Sequence, residues 1–145
     1  MRPDVVTPHD TIAAWVAALP DGTTSERVHK DLWYVRLPGV ARSWIPVEIL
    51  VDEKTTKITS HVIIEPDERH QEVYELLLRH NHAAGGVCFS LDGREGVICL
   101  VARIPLEDLS EPRLDQLVGQ IVQETEQTFR TILEIGFASR LRRRG

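Results

Sequence analysis

The chain has 145 residues, 17 of them basic and 22 acidic, for a net charge of −5. That length fits one domain, residues 1–145, and a folded chain of this size buries about 68–70% of the surface it would expose unfolded, so a core needs no metal or disulfide. Arg140, Arg142, Arg143 and Arg144 lie in the last six residues, so residues 1–139 hold 13 basic and 22 acidic groups, a net of −9, and an acidic body lacks the basic footprint of a nucleic-acid binder.

Thr7-Pro8-His9-Asp10 reads as a helix start: a capping hydroxyl, Pro at the first helical position and an acid in the first turn. Ile12, Trp15, Val16 and Leu19 then form one apolar stripe, and Pro20-Asp21-Gly22 stops it. Residues 23–30, TTSERVHK, are polar and read as a connector. Three strand-like runs follow. Trp33, Val35 and Leu37 alternate with Leu32, Tyr34 and Arg36. Ile45, Val47, Ile49 and Val51 alternate with Trp44, Pro46, Glu48 and Leu50. Pro46 cannot donate a ladder hydrogen bond, so this run is expected to be an edge or to bulge there. Ile58, Ser60, Val62 and Ile64 alternate with Thr59, His61 and Ile63. Short spacings make the three an antiparallel meander.

Glu65-Pro66-Asp67-Glu68 reads as the opening of a second helix, where the dipole favours carboxylates. Val73, Leu76, Leu77 and His80 share a face, and Gly85-Gly86 marks the exit. A hairpin spans 87–104. A four-residue loop at 92–95 sets Leu91 against Gly96 and Cys88 against Cys99, whereas a two-residue turn at Asp92-Gly93 would offset the cysteines by two positions. Ser110 is the expected cap of a long helix, with Leu114, Leu117, Val118, Ile121, Val122, Phe129, Ile132 and Leu133 on one stripe over about six turns. Residues 139–145 read as a frayed basic tail.

The order α-β-β-β-α-β-β-α predicts an α+β domain with an antiparallel sheet of roughly five strands packed by helices. One sheet face is apolar: Trp33, Val35, Leu37, Val47, Ile49, Val62, Ile64, Phe89, Ile98 and Leu100. The other mixes Leu32, Tyr34, Trp44, Leu50, Ile63, Cys88, Val97, Cys99 and Val101 with Arg36, Glu48 and His61. A half-apolar face this large is expected to meet a helix, a second copy of the chain or another protein.

Motif chemistry is sparse. There is no GxSxG, P-loop or GxGxxG after a strand, and no HExxH or Cys-His zinc spacing. His70, His80 and His82 flank the second helix near Asp67 and Glu72, but His80 and His82 are i, i+2 and point apart. No metal, cofactor or catalytic residue is assigned. Two cysteines and no apolar signal core in MRPDVVTPHD point to a reducing cytoplasm, and no apolar run reaches the ~20 residues of a membrane span.

WYVRLPG (33–39), HQEVY (70–74) with LLRHN (77–81), GVCFSLDGREGVICLVARIPL (86–106) and TILEIGFASRL (131–141) together resemble the YbjN family in its actinobacterial branch. His80 stands where that family's LLRRN has Arg, and Ala83-Ala84 departs from its longer residue before the Gly. The resemblance covers nearly the whole chain. It implies a type III secretion chaperone-like fold, no established catalytic residues, dimerisation, binding of partner polypeptides and a sensory transduction regulator label.

The first functional reading is therefore a non-enzymatic, chaperone-like or regulatory module. It is expected to be dimeric and to bind a polypeptide through a sheet face or edge, with no nucleic-acid or membrane partner. The candidate surface is Leu32, Tyr34, Arg36, Trp44, Glu48, Leu50, His61, Ile63, Val97 and Val101. The alternative is an enzyme or small-ligand sensor using Glu48 and His61, or a redox sensor using Cys88 and Cys99. A concave pocket with convergent polar groups would favour it.

Overall fold

The computed structural model describes residues 6–83, 85–94 and 96–144; residues 1–5, Ala84, where the departure from the family falls, Glu95, expected in the hairpin loop, and Gly145 lie outside them. The elements run α1 (Pro8–Ala17), β1 (Thr24–His29), β2 (Leu32–Pro38), β3 (Trp44–Val51), β4 (Thr55–Ile64), α2 (His70–Ala83), β5 (Cys88–Asp92), β6 (Val97–Pro105), α3 (Glu111–Gly136) and α4 (Ala138–Arg144). The α+β class holds, with one antiparallel six-stranded sheet ordered β1-β2-β3-β4-β6-β5.

The additional strand is β1, in the stretch expected as a connector. All six of its residues are exposed, so no buried face imposes alternation. It joins as an edge through backbone pairing, Thr24 opposite Arg36 to Arg27 opposite Trp33, and the Arg27 guanidinium lies 4.5 Å from the Trp33 ring centre.

The helices share one side of the sheet. α3 crosses β3 and β4, while α1 and α2 pack against α3 and α2 also touches β5. Ser110 caps α3 by accepting from the Arg113 N–H. Leu114, Leu117, Ile121 and Ile132 are fully buried on Val35, Ile45, Val47, Ile49, Ile58 and Leu100 of the sheet. Residues such as these each stabilise the fold by about 1.5–3 kcal/mol through burial. α1 adds Ile12 and Trp15, opened by the Thr7–Asp10 capping box.

Four expectations are corrected. Pro46 lies in an interior strand: β3 pairs along its whole length with β2, but its ladder to β4 runs only from Val51–Thr56 to Glu48–Thr59 and stops short of the proline. The hairpin loop is Gly93–Gly96, because Gly96 takes a left-handed conformation (φ 64°) and its N–H bonds the Asp92 carbonyl. Cys88 therefore faces Val101, and Cys99 faces Ser90.

The second helix starts at His70, after Arg69 at φ 52°, not at the acidic run. Those acids serve the other end of the molecule. The Asp67 and Glu68 N–H groups donate to the Gly136 carbonyl, and Glu68 Oε1 accepts the Ser139 N–H at the start of α4. Finally, residues 138–144 are helical, held by a two-point ion pair between Arg140 and Asp67.

Candidate functional site

Strand alternation places Trp33, Val35, Ile45, Val47, Ile49, Ile58, Ile98 and Leu100 under the helices. It turns the alternate residues to the opposite side, where among the described residues no helix packs. Cross-strand pairing arranges this outer face in rows. One row is Leu32–Leu50–Lys57–Arg103, the next Tyr34–Glu48–Thr59–Val101–Cys88, and a third holds Arg36–Pro46 and His61–Cys99–Ser90.

Nine of the ten residues expected on this surface lie on it. The exception is Ile63. A bulge between His61 and Ile63 shifts the β4–β6 register, pairing Ile63 with core-facing Ile98, and Ile63 packs on the core. Exposure is uneven. Trp44 and Leu50 are 41% and 37% exposed, whereas Cys99 and Val101 are 3% and 9% exposed. The accessible apolar area thus lies over β2 and β3 rather than over the hairpin.

Sequence reasoning missed the residue that organises the centre of the face. Arg42, in the loop between β2 and β3, donates from Nη1 to the carbonyl of His61. That carbonyl belongs to the part of β4 that β3 leaves unpaired as it reaches Pro46, and a side-chain donor replaces the strand there. The loop is itself fixed from the helical side: the Glu126 carboxylate of α3 accepts the Val40 and Ala41 N–H groups at 2.9 and 2.8 Å. Partial burial pushes the Arg42 pKa below its ordinary value, and the neighbouring Tyr34 opposes that shift. No carboxylate lies within ion-pair distance of Arg42 among the described residues. Pro46 in mid-strand was the only available signal.

Arg42 floors a cleft of about 200 Å³ walled by Tyr34, Pro46, Glu48, Thr59 and His61. Small-molecule pockets run roughly 300–1,000 Å³, so this cleft suits one inserted side chain better than a metabolite. Beside it, the Arg36 guanidinium stacks 4.7 Å from the Trp44 ring centre.

The remaining candidates do not converge. Cys88 and Cys99 share the outer face, offset by two positions rather than opposed; Cys88 is exposed, Cys99 is buried and neither forms a disulfide. His80 is engaged by Glu124 of α3 at 2.9 Å. No group of three potential metal ligands occurs among the described residues, and no helix there is long and apolar enough to cross a membrane.

A second apolar cleft, of about 170 Å³, opens between α2 and β5, lined by Tyr74, Leu77, Leu78, Phe89 and Leu91. Asn81 closes one side of it by bonding both the N–H and the carbonyl of Phe89 on the outer edge of β5, at 2.6 and 3.1 Å.

The profile of the Tir chaperone protein (CesT) family matches residues 47–128, from β3 through the first two-thirds of α3. The chain belongs to the CesT family. Among proteins similar to this CesT member are the uncharacterized proteins Rv0487 of Mycobacterium tuberculosis and ML2442 of Mycobacterium leprae, each 33% identical over 109 residues, 75% of this chain. The chain spans 59% of the length of those relatives. Solved structures share the fold at 16% identity. A chain of the heterodimeric ExoU-SpcU complex of the Pseudomonas aeruginosa type III secretion system aligns with a TM-score of 0.58, covering 84% of this chain and 94% of that one. A chain of the HopA1-SchA chaperone-effector complex aligns at 0.50, covering 84% and 90%.

Proposed function

We propose that this CesT-family chain is a non-enzymatic, chaperone-like module that binds a partner polypeptide on its helix-free sheet face and works as a dimer. The observation that carries this reading is the outer face itself. It presents Leu50 exposed opposite Leu32 and, at the other end of the same strand, Trp44 exposed opposite Pro38, on a sheet face that no helix covers among the described residues. Family membership supports it, as do the neighbours of like fold, which come from chaperone-effector and heterodimeric complexes. Aromatic and aliphatic anchors of this kind carry most of the binding energy in polypeptide recognition. Leu32, Tyr34, Arg36, Trp44, Glu48, Leu50, His61, Val97 and Val101 form the proposed surface, with Arg42 added.

The finer affiliation is to the actinobacterial YbjN branch, as one domain over residues 1–145 with a cytoplasmic home. The offset of Cys88 from Cys99 weighs against a paired thiol switch. Sedimentation of the purified chain, with capture of partners from its source cells, tests the reading. A dimer or a retained protein partner is expected. A strict monomer that retains none overturns it.

A further inference from the structure

The outer face differs in charge from the rest of the molecule. Residues 1–139 carry a net of −9, from 13 basic and 22 acidic groups. On its four central strands, however, this face presents Arg36, Lys57 and Arg103, joined by Arg42 from the loop, against the carboxylate of Glu48, with Glu26 and Asp92 out on the two edge strands. Two of the cations stand directly opposite each other: Lys57 on β4 pairs with Arg103 on β6. Like charges in that position repel and destabilise a sheet. Neither makes an ion pair among the described residues, so no carboxylate there offsets the repulsion.

Arg42 is the second point of positive charge. Partly desolvated and without a carboxylate, its guanidinium spends one Nη1 bond on the His61 carbonyl, and the rest of its donor fork is left for a ligand. The cleft around it holds one side chain. The hydroxyls of Tyr34 and Thr59 that line it are groups a carboxylate accepts from, and with the Arg42 guanidinium they hold an incoming acid against the Glu48 carboxylate on the same wall.

The spacing of the two points is fixed by the strand beneath them. Arg42 is anchored at His61, and Lys57 is four residues back along β4. Four residues of strand are ~13 Å. An extended segment lying along the face places its residues i and i+4 at that same separation, both pointing down. Its residue i+2 then meets the middle row above Thr59, which Glu48 and Val101 flank. An apolar side chain suits that row and an acid there is repelled.

Resting on the polypeptide-binding reading above, we propose that the outer face recognises an extended segment of a partner patterned acid-x-apolar-x-acid, with one carboxylate seated on Arg42 and the other between Lys57 and Arg103. Such a segment neutralises the cations and covers the apolar row together. A second copy of this chain is the less fitting occupant, since two like-charged faces would meet.

The probe is a synthetic capped peptide, Ser-Glu-Ser-Leu-Ser-Glu-Ser, titrated into the nitrogen-15-labelled full chain and followed by NMR, which reads affinities down to the millimolar range. Its twin carries Gln for both Glu. The acidic peptide is expected to shift Thr59, Val101 and the Arg42 Nε–H saturably, and the twin to bind about tenfold more weakly, a difference of ~1.4 kcal/mol. Binding falls as salt is raised. Lys57→Gln, which breaks no hydrogen bond of the fold and relieves the repulsion with Arg103, removes the acid preference without lowering the unfolding midpoint. Arg42→Gln removes it too, at some cost in stability through the His61 carbonyl. Equal binding of the two peptides, shifts confined to the α2–β5 cleft, or an acid preference that survives Lys57→Gln each overturn the proposal. A dimer that buries Trp44 and Leu50 overturns it by naming the second copy as occupant, yet leaves the polypeptide-binding reading standing. Failure of both peptides to bind overturns the acidic pattern alone, since partner capture tests the wider reading separately.

Discussion

Gly136 shows how tightly the end of α3 is seated. A Cβ there would meet Pro66 Cβ at 2.6 Å and Val73 Cγ2 at 3.2 Å, while its carbonyl already holds the Asp67 and Glu68 N–H groups. Gly136→Ala is expected to lower stability by about 1–3 kcal/mol, the usual cost of overpacking, read as a shift of the urea midpoint. An unchanged midpoint would mean that the 65–69 segment yields freely.

Glu68 adds a pH dependence to the same junction. The Ser139 backbone N–H, followed by the Ser139 side chain and the charges of Arg142 and Arg69, holds its carboxyl below the ordinary glutamate range against a smaller opposing effect of burial. A depressed folded pKa contributes stability that is present above the unfolded value of about 4.3 and is lost as pH falls through the folded one. Glu68→Gln should therefore flatten the acid limb of the stability profile. A profile identical to that of the parent chain would remove Glu68 from this role.

At the scale of elements, β5 is an edge strand with its outer side partly occupied. Asn81 satisfies both backbone groups of Phe89, much as a neighbouring strand would, and so blunts that edge. Asn81→Ala strands an N–H and a carbonyl in a part-buried setting and is expected to cost about 1–3 kcal/mol. Amide exchange at Phe89 should accelerate; unchanged protection there would show that the edge is shielded by other means.

Elements differed in how much the sequence disclosed, and the difference follows burial. α3 was legible throughout because one stripe packs on the sheet for its whole length, and β2 to β4 were legible because each buries one face. β1 was not, since a strand exposed on every residue has no periodicity to read. The bulge before Ile63 was invisible because Val62, Ile63 and Ile64 follow one another there and any phase looks apolar. Residues 65–68 did read as acids for a helix N-terminus, but Glu68 serves α4, which is distant in sequence. Of the outer face, the strand residues followed from alternation. Arg42 did not, because a loop side chain reaching a strand carbonyl depends on where Pro46 ends a ladder in space.

For the whole molecule, the layers explain why function must be sought on one side. α1, α2 and α3 lie over the inner face, and among the described residues no helix covers the outer one. Trp44→Ser with Leu50→Ser removes the two exposed anchors from that surface without opening the core, so each change should move stability by no more than about 0.5 kcal/mol. Binding of the partner polypeptide should collapse. A large loss of stability instead would mean that these side chains support the fold and are not held ready for a ligand.

Site-specific photo-crosslinking in the source cells tests the central claim most directly, with the reactive group placed at position 50 on the outer face and, in a parallel chain, at position 75 on the exposed flank of α2. Adducts to a polypeptide from position 50, with none from position 75, are the predicted result. No adduct from position 50 at native expression, or equal adducts from both, would contradict an account in which the bare sheet face is where this chain meets its partner.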